Sequence, residues 1–188
     1  MARDITHQTQ HTMPTKKFAY DDYVLLPDDG QRYEVLDGEV VVSPAAGTPH
    51  QGIQIALASD LFVRVQRQRI GRVFTDVDCE LGKHDIVRPD LIVVLPAHYE
   101  RILPSRLLGT PDLAIEILSK STAARDRNQK RLRYQAVGTP ELWLVDGDAH
   151  TVTQFVHDGS KFGPPRVATE SLRLAILPDV EVPFAELW

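Results

Sequence analysis

At 188 residues, 43% hydrophobic and 25% charged, the chain has the size and composition of one globular domain with a substantial core, and no run approaches the ~20 apolar residues of a membrane helix. Its 26 acidic against 21 basic residues give a net charge of −5, which excludes a general polyanion binder but not a local basic patch. A single cysteine, Cys79, excludes an internal disulfide and a multi-cysteine zinc site, and the opening MARDITHQTQHTMPTKK lacks the apolar core of a secretory signal, pointing to a cytoplasmic setting.

Residues 1–17 are polar and without periodicity, the pattern of a disordered tail preceding a single domain over 18–188. A short helix is predicted over Ala19–Leu26, ending before Pro27. Arg32–Ser43 reads as a β-hairpin, with β-branched residues either side of Asp37-Gly38, a pair suited to a positive-φ turn. Glu34 lies in its first strand. From His50 to Arg67 the apolar residues Ile53, Leu57, Leu61 and Val65 recur at helical spacing, with Gly71 as the expected left-handed terminator. His50, at the start of this helix, is a substrate contact or simply a helix-terminal residue. Arg72–Leu81 alternates as a strand with one polar face, which makes Cys79 a core residue. A second strand follows over Ile86–Leu95, then a short helix around Ala97–Leu103 and a strand over Leu113–Ser119. Thr122–Val137 is helical, with Ser121 as its N-cap and Gly138-Thr139-Pro140 as its stop. Glu141–Asp146 is another strand, and Thr151–His157 with Asp158-Gly159 begins a further hairpin. The order implies an α/β or α+β domain with a mixed central β-sheet flanked by helices and preceded by the hairpin.

Two aliphatic strands each carry one carboxylate where a core strand wants an apolar side chain: Asp90 and Glu116. A charge there is costly unless paired, ligated or in a solvated cleft. Neighbouring strands lie ~4.8 Å apart, so the two carboxylates can flank one ion. Asp112 shares a strand with Glu116 but stands about 13 Å along it, too far to share a cation, and is read as a residue at the strand's start. Oxygen ligands alone favour Mg²⁺ or Mn²⁺ over zinc. Glu34 is a third candidate ligand or a salt-bridging hairpin residue. Lys130 is the candidate for stabilising charge on a phosphate or orienting the attacking water; its plainer role is an i−4 helix pair with Asp126. Two basic clusters, one around Arg64 and Arg67 and one around Arg127 and Arg131, are candidates for contacts to a nucleic-acid backbone or else solvated helix faces.

The segments YEVLDGE, RPDLIVV, AIEILS and DRNQKRLRYQAVGTPELWLVD resemble a Uma-two-type, restriction-endonuclease-like family of the PD-(D/E)XK nuclease superfamily, over roughly residue 18 to the C-terminus. The resemblance implies a restriction-endonuclease-like core and Mg²⁺-dependent hydrolysis of DNA phosphodiesters, with Asp90 and Glu116 as metal ligands and Glu34 as the acid of the early hairpin. The superfamily pattern places a lysine two residues after the strand acid, where this chain has Leu118. Lys130 on the following helix resembles the migrated lysine of related families; Lys120 is its rival. A rival reading is a nuclease fold that no longer cuts and serves as a nucleic-acid-binding or assembly module, for instance as a homodimer. A lysine salt-bridging the two acids, with no metal there, would favour that module. A third reading, hydrolysis of a smaller phosphoester, would need a closed pocket.

Overall fold

The structure, a computed structural model, describes residues 16–188, so the expected tail lies outside the described residues except for Lys16 and Lys17, which pair with Asp22 and Asp37. α1 is a single turn, Tyr20–Tyr23. The hairpin follows as β1 (Arg32–Leu36) and β2 (Glu39–Ser43), and Asp37 and Gly38 take φ values of 54° and 80° between them. Two consecutive positive-φ residues give the turn whose twist matches paired strands, as Asp-Gly implies.

α2 (Thr48–Leu61) continues through a π-helical turn, Phe62–Gln66, and buries Ile53, Leu57, Leu61 and Val65. Its end differs from expectation. The left-handed residue is Arg69, at φ 61°, and Gly71 serves close packing instead. A Cβ on Gly71 would stand 2.7 Å from Val65 Cγ1 and 3.3 Å from Val93 Cγ1, so only glycine lets the chain pass between helix end and sheet there.

Two segments expected as single strands each divide. Arg72–Leu81 becomes β3 (Arg72–Thr75) and β4 (Cys79–Gly82), with Asp76 at φ 53° between them. Ile86–Leu95 becomes β5 (Asp85–Val87) and β6 (Leu91–Val94), interrupted at Arg88-Pro89-Asp90. Proline has no amide hydrogen to give a ladder, which ends the pairing there. The breaks lie side by side, for Asp76 N–H donates to the Asp90 carbonyl at 3.3 Å. At both, the chain crosses between two sheets. β4 and β5 belong to a five-stranded sheet in the order β2-β1-β5-β4-β7, where β7 is Leu107–Leu108. β3 and β6 belong to a six-stranded sheet that continues through β8 (Leu113–Ile117), β9 (Glu141–Asp146), β10 (Thr151–Val156) and β11 (Arg166–Ala168). The single central sheet expected from the sequence is thus two sheets, both mixed, since β8–β9 and β4–β7 are parallel and the other pairs antiparallel. β12 (Ser171–Arg173) and β13 (Glu181–Pro183) form a separate hairpin.

Both faces of the six-stranded sheet are covered, which is why its strands read as unbroken aliphatic runs. Leu91, Val93, Leu113, Ile115, Trp143 and Val145 face α2 and the C-terminal hairpin. Ile92, Val94, Ala114, Leu142 and Leu144 face the other way, toward Cys79 and Tyr134. Cys79 is a buried core residue, as expected, and burial pushes its thiol pKa up. A 3₁₀ segment, Pro96–Arg101, stands where a short helix was expected. The last major helix is α3 (Ala123–Arg125), a π-helical turn (Asp126–Lys130) and α4 (Arg131–Ala136) in unbroken succession. Thr122, not Ser121, is its N-cap, and Ser119 Oγ accepts from the Thr122 N–H at 3.3 Å.

Candidate active site

Asp90 follows Pro89 at the strand break, one residue ahead of β6. β6 and β8 pair antiparallel with Leu91 opposite Ile115, and the same register carried one residue further sets Asp90 opposite Glu116. The carboxylate is tied to β8 directly, because Asp90 Oδ2 accepts the Ile117 N–H at 2.6 Å. On β8, alternation turns Ile115 and Ile117 toward α2 and leaves Glu116 on the face toward Tyr134. Both carboxylates are only 2% exposed.

Lys130 arrives from the helix above. Its Nζ lies 2.6 Å from Glu116 Oε1 and 2.8 Å from Glu34 Oε1, and 3.9 Å from Asp126. The lysine's close contacts are therefore with the strand acids, and its helix neighbour Asp126 is the more distant partner. Lys130 closes the π-helical turn that begins at Asp126, a local widening of the kind often found at functional sites. Tyr134, four residues on, donates its hydroxyl to Glu116 Oε1 at 2.6 Å. Both donors act on Oε1, and Oε2 has no hydrogen bond among the described residues. Lys120 is exposed after the end of β8 and makes no ion pair among the described residues. Asp112, as expected, is structural: it accepts from the Leu95 N–H at 2.7 Å and faces His98 Nδ1 at 2.8 Å.

A cleft of about 130 Å³ is lined by Glu34, Asp90, Glu116, Asp126 and Lys130 together with a cationic rim. Arg32 Nη1 meets Asp90 Oδ1 at 2.6 Å, and His50 Nε2 stands 3.2 Å from Asp90 Oδ2. Arg125 reaches across to the Ser43 hydroxyl. Arg32 Nη2, Arg125 Nε and His50 Nδ1 are buried with no hydrogen-bond partner among the described residues. Two guanidinium donors left over beside one cleft call for an acceptor, and a phosphate oxygen has the right charge and geometry.

The electrostatics separate the acids. Burial works against ionised Asp90, but the His50 hydrogen bond and the Arg32 charge overcome it and hold the carboxyl at about 2. Burial dominates at Glu116 and pushes it up to about 8, with Asp126, Asp90 and Glu34 adding to the rise and Lys130 opposing it. Burial also opposes ionised Glu34, yet Lys130 and Arg32 bring it below its ordinary value. Lys130 is held cationic because Glu116 and Glu34 outweigh the cost of its burial.

The donor set suits a hard divalent cation in part. Asp90 and Glu116 line one cleft with oxygen donors, which matches a Mg²⁺-sized ion that keeps most of its water and takes one or two carboxylates. The expected three-carboxylate set is not assembled, because no group of three or more potential ligands stands close enough among the described residues. Lys130 Nζ lies between Glu34 and Glu116, and Glu34 Oε1 also accepts the Arg88 N–H at 2.8 Å.

The four arginines expected to contact nucleic acid do not reach the cleft. Arg64 lies fourteen residues beyond His50, roughly 20 Å along the helix, and its guanidinium is paired with Asp60. Arg67 lies further still. Arg127 pairs with Asp146, while Arg131 donates to the Arg127 carbonyl and lies over the Phe155 ring. Arg32 and Arg125 stand in the cleft in their place. Arg32 had a signal in the sequence, two residues from Glu34 on the same strand face, whereas Arg125 stands five residues before Lys130, a spacing that the π-helical turn and not a regular α-helix brings to one face.

A family model named Uma2, described as "Putative restriction endonuclease", matches residues 20–185. The chain superposes with a TM-score of 0.75 on the crystal structure of a putative nuclease belonging to DUF820 from Anabaena variabilis, at 24% identity over 90% of this chain and 97% of that one, which shows the same fold. No curated protein matches. Among the described residues no helix is long and apolar enough to cross a membrane.

Proposed function

The chain belongs to the Uma2 family, described as putative restriction endonucleases, and from that footing we propose that it hydrolyses DNA phosphodiesters with Mg²⁺ or Mn²⁺ held by Asp90 and Glu116. The observation that carries this reading is the convergence of Asp90, Glu116 and Lys130 on one cleft from a strand break, a strand and a helix. A cation at the two carboxylates supplies Lewis-acid charge to a phosphoryl oxygen. The chain's own residues do the remainder. Arg32 and Arg125 hold the phosphate with their free guanidinium N–H groups. Lys130 gives a hydrogen bond and a full charge to the oxygen on which negative charge develops. Tyr134 fixes Glu116 through Oε1, so that Oε2 is the oxygen presented to the ligand. Glu34 holds Lys130 cationic and in place, a supporting role that replaces the ligand role expected from the sequence.

One observation favours the second reading, a binding module that does not cut. Lys130, Arg32 and His50 already compensate the acids that the cation would use. Nicking of supercoiled plasmid in Mg²⁺ or Mn²⁺ separates the two. The nuclease reading expects nicking by the wild type and none by Asp90→Ala or Lys130→Ala. Retention of plasmid by a wild type that never nicks it, with folding intact, would transfer the assignment to the module.

A further inference from the structure

Beside the cleft lies a second, larger groove of about 650 Å³. The two adjoin, since Gly47, His50, Ile117 and Ser119 line both. Ile53, Leu118 and Leu187 give the groove an apolar stretch, Asp148 adds a carboxylate to its lining, and it carries a pair of stacked rings. His150 and Trp188 lie with centroids 5.1 Å apart and planes within 5° of parallel, and Phe184 meets Trp188 edge-on at 6.3 Å. Trp188 is 37% exposed, unlike the fully buried Trp143. Gly52 borders open space, since a Cβ there would meet nothing within 4 Å, whereas one on Gly147 would stand 2.6 Å from Ile53 Cδ1, where the chain packs closely. Lys120, exposed and without an ion pair among the described residues, also lines the groove.

We infer that this groove takes an unstacked nucleobase, so that the strand entering the active site is single or locally unpaired; the inference rests on the nuclease reading above. An exposed pair of stacked rings, beside a cleft with free guanidinium donors, offers what one nucleotide unit needs: aromatic surface to extend the stack and a phosphate seat. Stacking tolerates any base, because every base has a π-face. Lys120 supplies a charge for a neighbouring phosphate. A base within an intact duplex cannot occupy the groove, since both its faces are already stacked. The groove thereby assigns strandedness, a property that the catalytic cleft alone leaves open.

The test titrates the full chain, in Ca²⁺, with a labelled oligodeoxyadenylate of about 12 nucleotides and with the matching duplex. Single-strand binding should quench the exposed tryptophan and exceed duplex binding. Trp188→Leu and Gly52→Phe should each weaken single-strand binding by on the order of tenfold, the loss expected for one base–aromatic stack. Gly52→Ala should bind as the wild type does, which separates filling of the groove from disturbance of the helix. Equal affinity for single strand and duplex, or unchanged single-strand binding in both Trp188→Leu and Gly52→Phe, would overturn the inference. Plasmid nicking with those two variants binding normally would sink the groove and leave the nuclease standing. Groove-dependent binding by a chain that cuts nothing would do the reverse.

Discussion

Substituting Lys130 by methionine keeps the length of the side chain and removes its charge. Nζ lies 2.6 and 2.8 Å from two carboxylates, and all three side chains are 2–3% exposed. Removing one partner from a buried ion pair costs about 3–5 kcal/mol, and here it takes from Glu116 and Glu34 their nearest cation. For a chain of this length each kcal/mol lowers Tm by about 2–4 °C, which predicts a fall of roughly 6–20 °C. The loss should depend on pH. Glu116, held near 8 in the native protein, keeps its proton to higher pH once the lysine is gone. The folded variant then binds more protons than the folded wild type at alkaline pH, so the stability gap widens as pH rises. Urea unfolding in EDTA at pH 6, 7.5 and 9 reads this directly. Adding Glu116→Gln to Lys130→Met should recover part of the loss, with a coupling of about 1–3 kcal/mol. A variant within about 0.5 kcal/mol of wild type at pH 7.5, or a gap that does not move with pH, would refute the buried ion cluster.

Further expectations follow from the same geometry. Because the folded-state pKa of Glu116 is raised above its unfolded value, its contribution to stability is fully present below about 4.5 and is lost as pH rises through about 8; Glu116→Gln should flatten that slope in a pH series of thermal melts. Asp90 acts oppositely, since a carboxyl held near 2 contributes stability that disappears only as pH falls below its unfolded value, and Asp90→Asn should blunt the acid limb of the same series. Arg125→Ala should raise KM for an oligonucleotide substrate by about tenfold through loss of one charge-assisted phosphate contact, with secondary structure unchanged by circular dichroism; an unaltered KM would remove Arg125 from the phosphate seat. Gly71→Ala should destabilise by about 1–3 kcal/mol in urea, because its Cβ meets Val65 and Val93 in a packed core; a neutral result would mean that the helix end yields freely.

Much of this architecture was legible in the sequence where a local rule decides it. Asp37-Gly38 dictates the hairpin turn, and two acids inside aliphatic runs mark Asp90 and Glu116. What escaped depends on tertiary context. An aliphatic run looks the same whether it stays in one sheet or crosses to another, so the breaks at Asp76–Asp78 and Arg88–Asp90 were hidden, although Pro89 hinted at the second. The π-helical turn has no compositional mark, yet it lies on the segment that carries Lys130 to Glu116. Clustering along the chain does not mark the cleft. Arg64 and Arg67 are close to each other but at the far end of α2 from His50, whereas Arg32 and Arg125, far apart in sequence, share one cleft.

The claim on which the account turns is that Asp90 and Glu116 hold the cation that serves cleavage. Titration of the metal-free protein with Mn²⁺, followed by electron paramagnetic resonance with plasmid nicking measured at each point, tests it most directly. The account predicts metal binding that strengthens from pH 6 to pH 8 as Glu116 yields its proton, nicking that rises with bound Mn²⁺, and loss of both in Asp90→Ala and Glu116→Gln. Mn²⁺ bound equally well by Asp90→Ala, or nicking that ignores bound Mn²⁺, would contradict it.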